Sequence, residues 1–171
     1  MNKLLPNRYA TDAFSIDYKD YYDRGFRSVI FDIDNTLVFD NAPADERAEK
    51  FLGELKNLGF KVLALSNNNE ARVRPFCEQT GIGYICGAGK PSIRGYVRAM
   101  ESLGTDRETT LFVGDQIFTD IWGARRSGVH CILTKPLSRK EIFVIVLKRI
   151  PEKLVLLLDF RRRRRMLKNE E

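Results

Sequence analysis

Chemistry in this chain begins at Ser28–Asp40, which reads S-V-I-F-D-I-D-N-T-L-V-F-D. Asp32 and Asp34 follow the apolar run Val29–Phe31, one residue apart. In a strand still extended there, their side chains would leave on opposite faces. Where the strand gives way to a loop, both can turn toward one small volume above its carboxyl end. Two anions buried side by side are costly unless a cation or protons compensate. Taken alone, a D-x-D is equally consistent with a surface loop whose acids face water. The rest of the chain shifts that balance. Ser66 and Asn67 follow L-A-L, Lys90 sits in G-A-G-K-P, and Asp115 and Asp120 lie in V-G-D-Q-I-F-T-D. Carboxylates repel one another, but around Mg²⁺ they become hard oxygen ligands that leave positions for water and a phosphate oxygen. A lysine and a serine would then neutralise and hydrogen-bond the remaining phosphoryl oxygens. The chemistry this set suits is phosphoryl transfer to a carboxylate nucleophile.

Such residues must be held by elements that end at one rim. Apolar runs at 27–31, 61–65, 83–86, 110–113 and 129–133 read as strands. Helical spacing is read at 16–24, 45–58, 70–80, 92–103 and 119–127, and glycines end these segments. Strand and helix alternating in this way predict an α/β fold: a three-layer, doubly wound (Rossmann-like) parallel sheet of five strands. In such a sheet ligands bind outside the carboxyl ends of the strands, where Asp32, Asp34, Ser66, Asn67, Lys90, Asp115 and Asp120 all fall. Residues 1–13 read as an irregular arm.

At 171 residues, 43% hydrophobic and 30% charged, the chain is of a size and composition for one domain with a substantial core. The net charge of +6 is unevenly placed: residues 161–171 hold six basic and two acidic residues, and the preceding 160 carry only +2. Three scattered cysteines and a single histidine argue against a disulfide framework, a thiolate zinc site or a histidine metal site. No signal peptide or membrane span is legible, which predicts a cytoplasmic protein.

The ordered motifs D32-I-D34-N-T36, the Ser66 of L-A-L-S, the Lys90 of G-K-P and the Asp115/Asp120 pair resemble the four motifs of the haloacid-dehalogenase superfamily of phosphatases. L-L-P-N near the start, together with L-S-N-N-N-E and V-G-D-Q-I-F-T-D, is similar to the small YqeG-like group of the HAD-IIIA type, whose relatives include phosphatidylglycerophosphate phosphatases. This likeness spans about residues 4–137. It implies that Asp32 is the nucleophile and forms an aspartyl-phosphate. Asp34 is then the general acid and base, with its backbone carbonyl completing the Mg²⁺ shell. Ser66 and the Asn67 backbone hold the phosphoryl group, and Lys90 offsets charge on nucleophile and phosphate. Asp115 binds the metal, and Asp120 supports the metal shell or orients Lys90. Thr36 braces the loop. Members usually carry an inserted cap domain, but only 29 residues separate Thr36 from Ser66 and 23 separate Ser66 from Lys90. The reading is therefore a single capless domain over residues 1–150 and a tail over 151–171. An uncapped site suits a phosphorylated substrate presented on something large (a lipid head group or macromolecule), a metabolite, or closure by a second copy of the chain.

The tail places apolar stretches at 140–149 and 152–160, split by Pro151, before Arg161–Arg165. That composition serves a plain helix with a solvated end, a peripheral contact at the inner face of a membrane, a dimer interface or nucleic acid. No aromatics interleave with the arginines, which counts against single-stranded nucleic acid. A binding or assembly protein on a phosphatase scaffold, recruited by this tail to membrane or RNA, is the alternative to an enzyme. His130 reads as a core or rim residue, Trp122 as a core residue, and Arg72 and Arg94 as helix charges that begin near the rim.

Overall fold

After a short helix α1 (Tyr18–Asp23), three helices of thirteen, eleven and eleven residues, α2 (Glu46–Leu58), α3 (Glu70–Thr80) and α4 (Ile93–Leu103), separate the central strands. Connections of this length return the chain to the same end of the sheet, so the strands lie parallel. The computed structural model describes residues 4–138. Its strands are β1 (Arg8–Ala10), β2 (Ser28–Phe31), β3 (Lys61–Leu65), β4 (Gly83–Ile85), β5 (Thr110–Gly114) and β6 (His130–Thr134). They form one parallel sheet in the order β1-β6-β5-β2-β3-β4. The strand order reverses beside β2, and the crevice of a doubly wound sheet opens at that point. The tips of β2, β3 and β5 are therefore neighbours at one rim.

The helices start and stop where their sequences require. Asp45 caps α2 by accepting from the Ala48 N–H at 2.8 Å. Gly59 ends it at φ +104, where a Cβ would also meet the Tyr22 hydroxyl at 2.6 Å. Ala48, Leu52 and Leu55 of α2 are buried with Val29 and Phe31 of β2 and with Val73 and Phe76 of α3 in one apolar core. β2 is buried at every position, as a central parallel strand should be.

Three expectations need correcting. The sheet has six strands rather than five, because Arg8–Ala10 in the expected irregular arm pairs with Ile132–Thr134 of β6. Three residues reading R-Y-A carry no alternating apolar pattern; the pairing comes from the free edge of β6. The helix expected at 119–127 is two elements, a π-helical turn over Ile117–Ile121 and α5 (Trp122–Arg126). Trp122 is 37% exposed under the Arg126 guanidinium rather than in the core. Between Thr36 and Ser66 the chain runs through a short loop, α2 and β3, with no inserted domain. The tail and the domain boundary at residue 150 lie outside the described residues. Among the described residues no helix is long and apolar enough to cross a membrane.

Candidate active site

The rim is assembled by the ends of four strands. Asp32 leaves β2 with its N–H still donating to the Val113 carbonyl of β5 at 3.0 Å, so its Cα is held by the sheet. Asp115 follows β5 directly, and carboxylate oxygens of Asp32, Asp115 and Asp120 lie within 4.8 Å of one another, all three buried. Lys90, also buried, donates from Nζ to Asp32 Oδ1 at 2.6 Å and to Asp120 Oδ1 at 2.7 Å.

Asp120 is held from several sides. Its Oδ2 accepts from the Gln116 N–H at 3.0 Å, and its backbone carbonyl accepts from the buried Tyr96 hydroxyl at 2.9 Å. Gly114 makes room for it: a Cβ there would stand 2.6 Å from Asp120 Oδ2. The π-helical turn widens the backbone where this carboxylate folds back toward Lys90, a placement common at functional sites. One Asp120 oxygen is thus on Lys90 and the other on a backbone N–H.

The run Ser66–Asn69 divides into separate tasks. Ser66 is buried at the tip of β3, and its Oγ accepts from the Asn68 N–H at 3.1 Å, which leaves its own proton to donate. Asn67 brackets the Lys90 backbone: its Oδ1 accepts from Lys90 N–H at 2.7 Å and its amide donates to Lys90 carbonyl at 3.1 Å. Asn68 donates from its amide to Asp34 Oδ2 at 2.7 Å. Asn69 caps α3 by accepting from Arg72 N–H at 3.1 Å.

Asp34 belongs to a neighbouring cluster rather than to the three-carboxylate group. Its Oδ1 accepts from Arg72 Nη2 at 2.7 Å, Arg72 Nε at 3.2 Å and the Asn41 N–H at 2.9 Å. Arg72 Nη2 also donates to the Ala42 carbonyl at 2.8 Å. The expected helix charge is thus a buried-side partner of the second aspartate, whereas Arg94 is exposed. A cation in the first turn of a helix opposes the helix dipole; that was the available signal that an anion waits for Arg72. Thr36 braces the loop only through its backbone, donating N–H to Ile33 at 3.2 Å; its buried hydroxyl has no hydrogen-bond partner among the described residues. His130 packs against Tyr21 and Phe26 at the opposite, amino-terminal end of the sheet.

Charge at the rim is unbalanced. Burial pushes the Asp32 carboxyl up to about 7; Lys90 pulls it down, and Asp120 and then Asp34 push it up again. Burial acts against the Lys90 ammonium, but Asp120 and Asp32 outweigh it and hold the lysine above its usual range. Among the described residues three buried carboxylates and one buried ammonium meet here, a formal excess of two negative charges when all are ionised. A divalent cation of hard, oxygen-seeking character fits that donor set. Asp32 and Asp115 are the side chains best placed to hold it, with Asp120 already engaged at both oxygens.

The family model of haloacid dehalogenase-like hydrolases matches residues 38–128, beginning just after Asp32 and Asp34. The probable phosphatase YqeG of Bacillus subtilis is 35% identical over 154 residues, 90% of each chain, a span that includes both aspartates. Phosphatidylglycerophosphate phosphatase 1 of Arabidopsis thaliana is 28% identical over 148 residues, covering 81% of this chain and 42% of that protein. Among solved structures, NagD from E. coli superposes with a TM-score of 0.55 at 15% identity, covering 70% of this chain and 92% of NagD. An uncharacterised Listeria monocytogenes protein does so at 0.53 and 20%, covering 78% and 99%. The two structures speak to the fold alone; the family match and the B. subtilis relative establish that the chain belongs to the haloacid dehalogenase-like hydrolases.

Proposed function

We propose that this hydrolase is a phosphoric monoester phosphatase that works through an aspartyl-phosphate. The observation that carries the reading is the contact of Lys90 Nζ with both Asp32 and Asp120 inside a buried, net-negative rim. An ammonium held there steers a phosphoryl group toward the Asp32 oxygen and offsets the charge that builds as the bond forms. Magnesium bound by Asp32, Asp115 and the Asp34 carbonyl would keep Asp32 ionised and draw charge from the phosphoryl oxygens.

The chain's own groups then have consecutive roles. An Asp32 carboxylate oxygen attacks phosphorus, the bond to the ester oxygen breaks, and Asp34 gives that oxygen a proton. Water then attacks the same phosphorus and passes a proton to Asp34. The bond to Asp32 breaks, phosphate leaves, and both aspartates return to their starting states. The Ser66 hydroxyl and the Asn67 N–H donate to the phosphoryl oxygens throughout. Asn67 also fixes the Lys90 backbone, so the phosphate grip and the lysine move as one unit.

For the substrate, a phosphate ester on a lipid surface, of the phosphatidylglycerophosphate kind, is the reading we favour. The A. thaliana relative carries that name, and no inserted domain covers the described rim. The basic run Arg161–Arg165 would complement an anionic bilayer. The test has two parts. Phosphate release from p-nitrophenyl phosphate should require Mg²⁺ and fall at least a hundredfold in Asp32→Asn. Release from phosphatidylglycerophosphate in mixed micelles should exceed that from a soluble glycerol phosphate, and the excess should shrink when residues 161–171 are removed. Hydrolysis of neither ester by the intact chain, with tail-dependent vesicle or RNA binding unchanged in Asp32→Asn, would favour the scaffold reading instead.

A further inference from the structure

The two oxygens of Asp34 are treated differently. Oδ1 takes three donors: both Arg72 Nε and Nη2, and the Asn41 backbone. Among the described residues Oδ2 takes a single amide, from Asn68. Arg72 reaches this carboxylate from the first turn of α3, and the same Nη2 grips the Ala42 carbonyl in the turn after β2. The guanidinium therefore ties the loop carrying Asp34 and the turn at 39–42 just beyond it to the start of α3, which is 30 or more positions further along the chain. Arg72 and Asp34 side chains are 14% and 12% exposed, so this pair is shielded and its geometry is not a solvent-averaged surface contact.

We infer that Arg72 is a positioning residue which fastens Oδ1 of Asp34 and so presents Oδ2 as the oxygen that gives and takes the proton. The inference rests on the reading of Asp34 as general acid and base. An oxygen already accepting three hydrogen bonds has no lone pair directed elsewhere, whereas Oδ2 has one to spare beside a side-chain amide. That amide is well suited to the task. With Oδ2 ionised the Asn68 NH₂ donates to it, and with Oδ2 protonated a rotated Asn68 presents its carbonyl to accept. Without Arg72 the carboxyl could rotate and share its proton between two unequal oxygens, and fewer encounters would find the proton facing the departing ester oxygen. A lysine keeps the charge but not the two-point hold that locks the carboxylate plane.

The consequence is a change in sensitivity to the leaving group. A well-aimed proton donor matters most when the departing oxygen is a poor leaving group, and such assistance contributes about 10²–10⁴-fold. The assay compares kcat/KM for p-nitrophenyl phosphate with that for phenyl phosphate in the intact chain with Mg²⁺. It is run on Arg72→Met, Arg72→Lys, Asn68→Ala and, as reference, Asp34→Asn. The ratio of phenyl to p-nitrophenyl turnover is expected to fall at least tenfold in Arg72→Met and further in Asp34→Asn, with Arg72→Lys and Asn68→Ala between wild type and Arg72→Met. A ratio that moves in Asp34→Asn but holds in all three other variants overturns the role given to Arg72 and leaves the acid in place. A ratio that holds in Asp34→Asn as well overturns the reading of Asp34, and this inference with it. Because Arg72→Lys and Asn68→Ala leave most of the clamp standing, the comparison survives if Arg72→Met fails to fold.

Discussion

Replacing Asp32 by asparagine should make the metal-free protein more stable at pH 8 while abolishing its chemistry. In the folded chain burial holds this carboxyl at about 7, against 3.8 when exposed, and that value already includes the pull of Lys90. The folded protein therefore holds the proton more tightly than the unfolded one. Stability from this group is fully present below pH 4, drains away as the unfolded carboxyl ionises first, and is gone above about pH 7. From 3.8 to about 7, at about 1.4 kcal/mol per tenfold, the loss amounts to roughly 4 kcal/mol. For a chain of this length that corresponds to a melting shift on the order of 10 °C. Asparagine has no charge to bury, so Asp32→Asn should escape this decline. Magnesium, which needs the carboxylate, should raise the wild-type melting temperature most at alkaline pH and raise the variant's far less. The assay is thermal unfolding from pH 5 to pH 8.5, in chelator and in millimolar Mg²⁺, for both proteins. A wild type whose chelated melting temperature is flat across that range, or an Asp32→Asn less stable than wild type in chelator at pH 8, would refute the argument.

Three further outcomes follow from neighbouring contacts. Lys90→Met strands two buried carboxylates and should cost about 3 kcal/mol at pH 8, with a smaller loss at pH 5, where Asp32 takes a proton in place of the ammonium; denaturant unfolding at the two pH values checks the sign. Gly114→Ala drives a methyl to within 2.6 Å of Asp120 Oδ2, so kcat should drop at least tenfold and stability by about 1–3 kcal/mol, measured on the same preparation. Tyr96→Phe removes a hydroxyl that serves the carbonyls of Thr119 and Asp120, at about 1–3 kcal/mol by chemical denaturation, and activity should fall as the π-helical turn loosens.

How far the sequence could be read depended on whether a feature was written locally. β2 was legible because Val29–Phe31 is apolar at every position, and α2 because Asp45 and Gly59 mark both ends. Asp32, Ser66 and Asp115 were legible because each sits at the tip of a strand, and Lys90 because it lies in the loop leaving β4; a parallel sheet brings these ends together. Strand β1 was not, since R-Y-A becomes a strand only when β6 offers an edge. The break at Ile117–Ile121 was hidden because helical spacing runs through it, while its cause, the return of Asp120 to Lys90 and to the Gln116 N–H, is tertiary. Asp34 and Arg72 lie 38 positions apart, and nothing in either segment announces the other. Only the awkwardness of a cation at a helix start hinted that Arg72 had an anion to meet. Of the asparagines at 67–69 the sequence singled out only Asn67 as a site residue, for its backbone, yet each side chain has a separate partner: Lys90, Asp34 and the α3 backbone.

The central claim is that Asp32 carries the phosphoryl group, and trapping that group tests it most directly. p-Nitrophenyl phosphate mixed with excess enzyme and Mg²⁺, quenched in acid within the first turnover and digested, should yield a phosphorylated peptide containing Asp32. The adduct should be missing in chelator and in Asp32→Asn. Rapid phosphate release by wild type with no phosphorylated peptide in the quench, and at an undiminished rate in Asp32→Asn, would contradict the account.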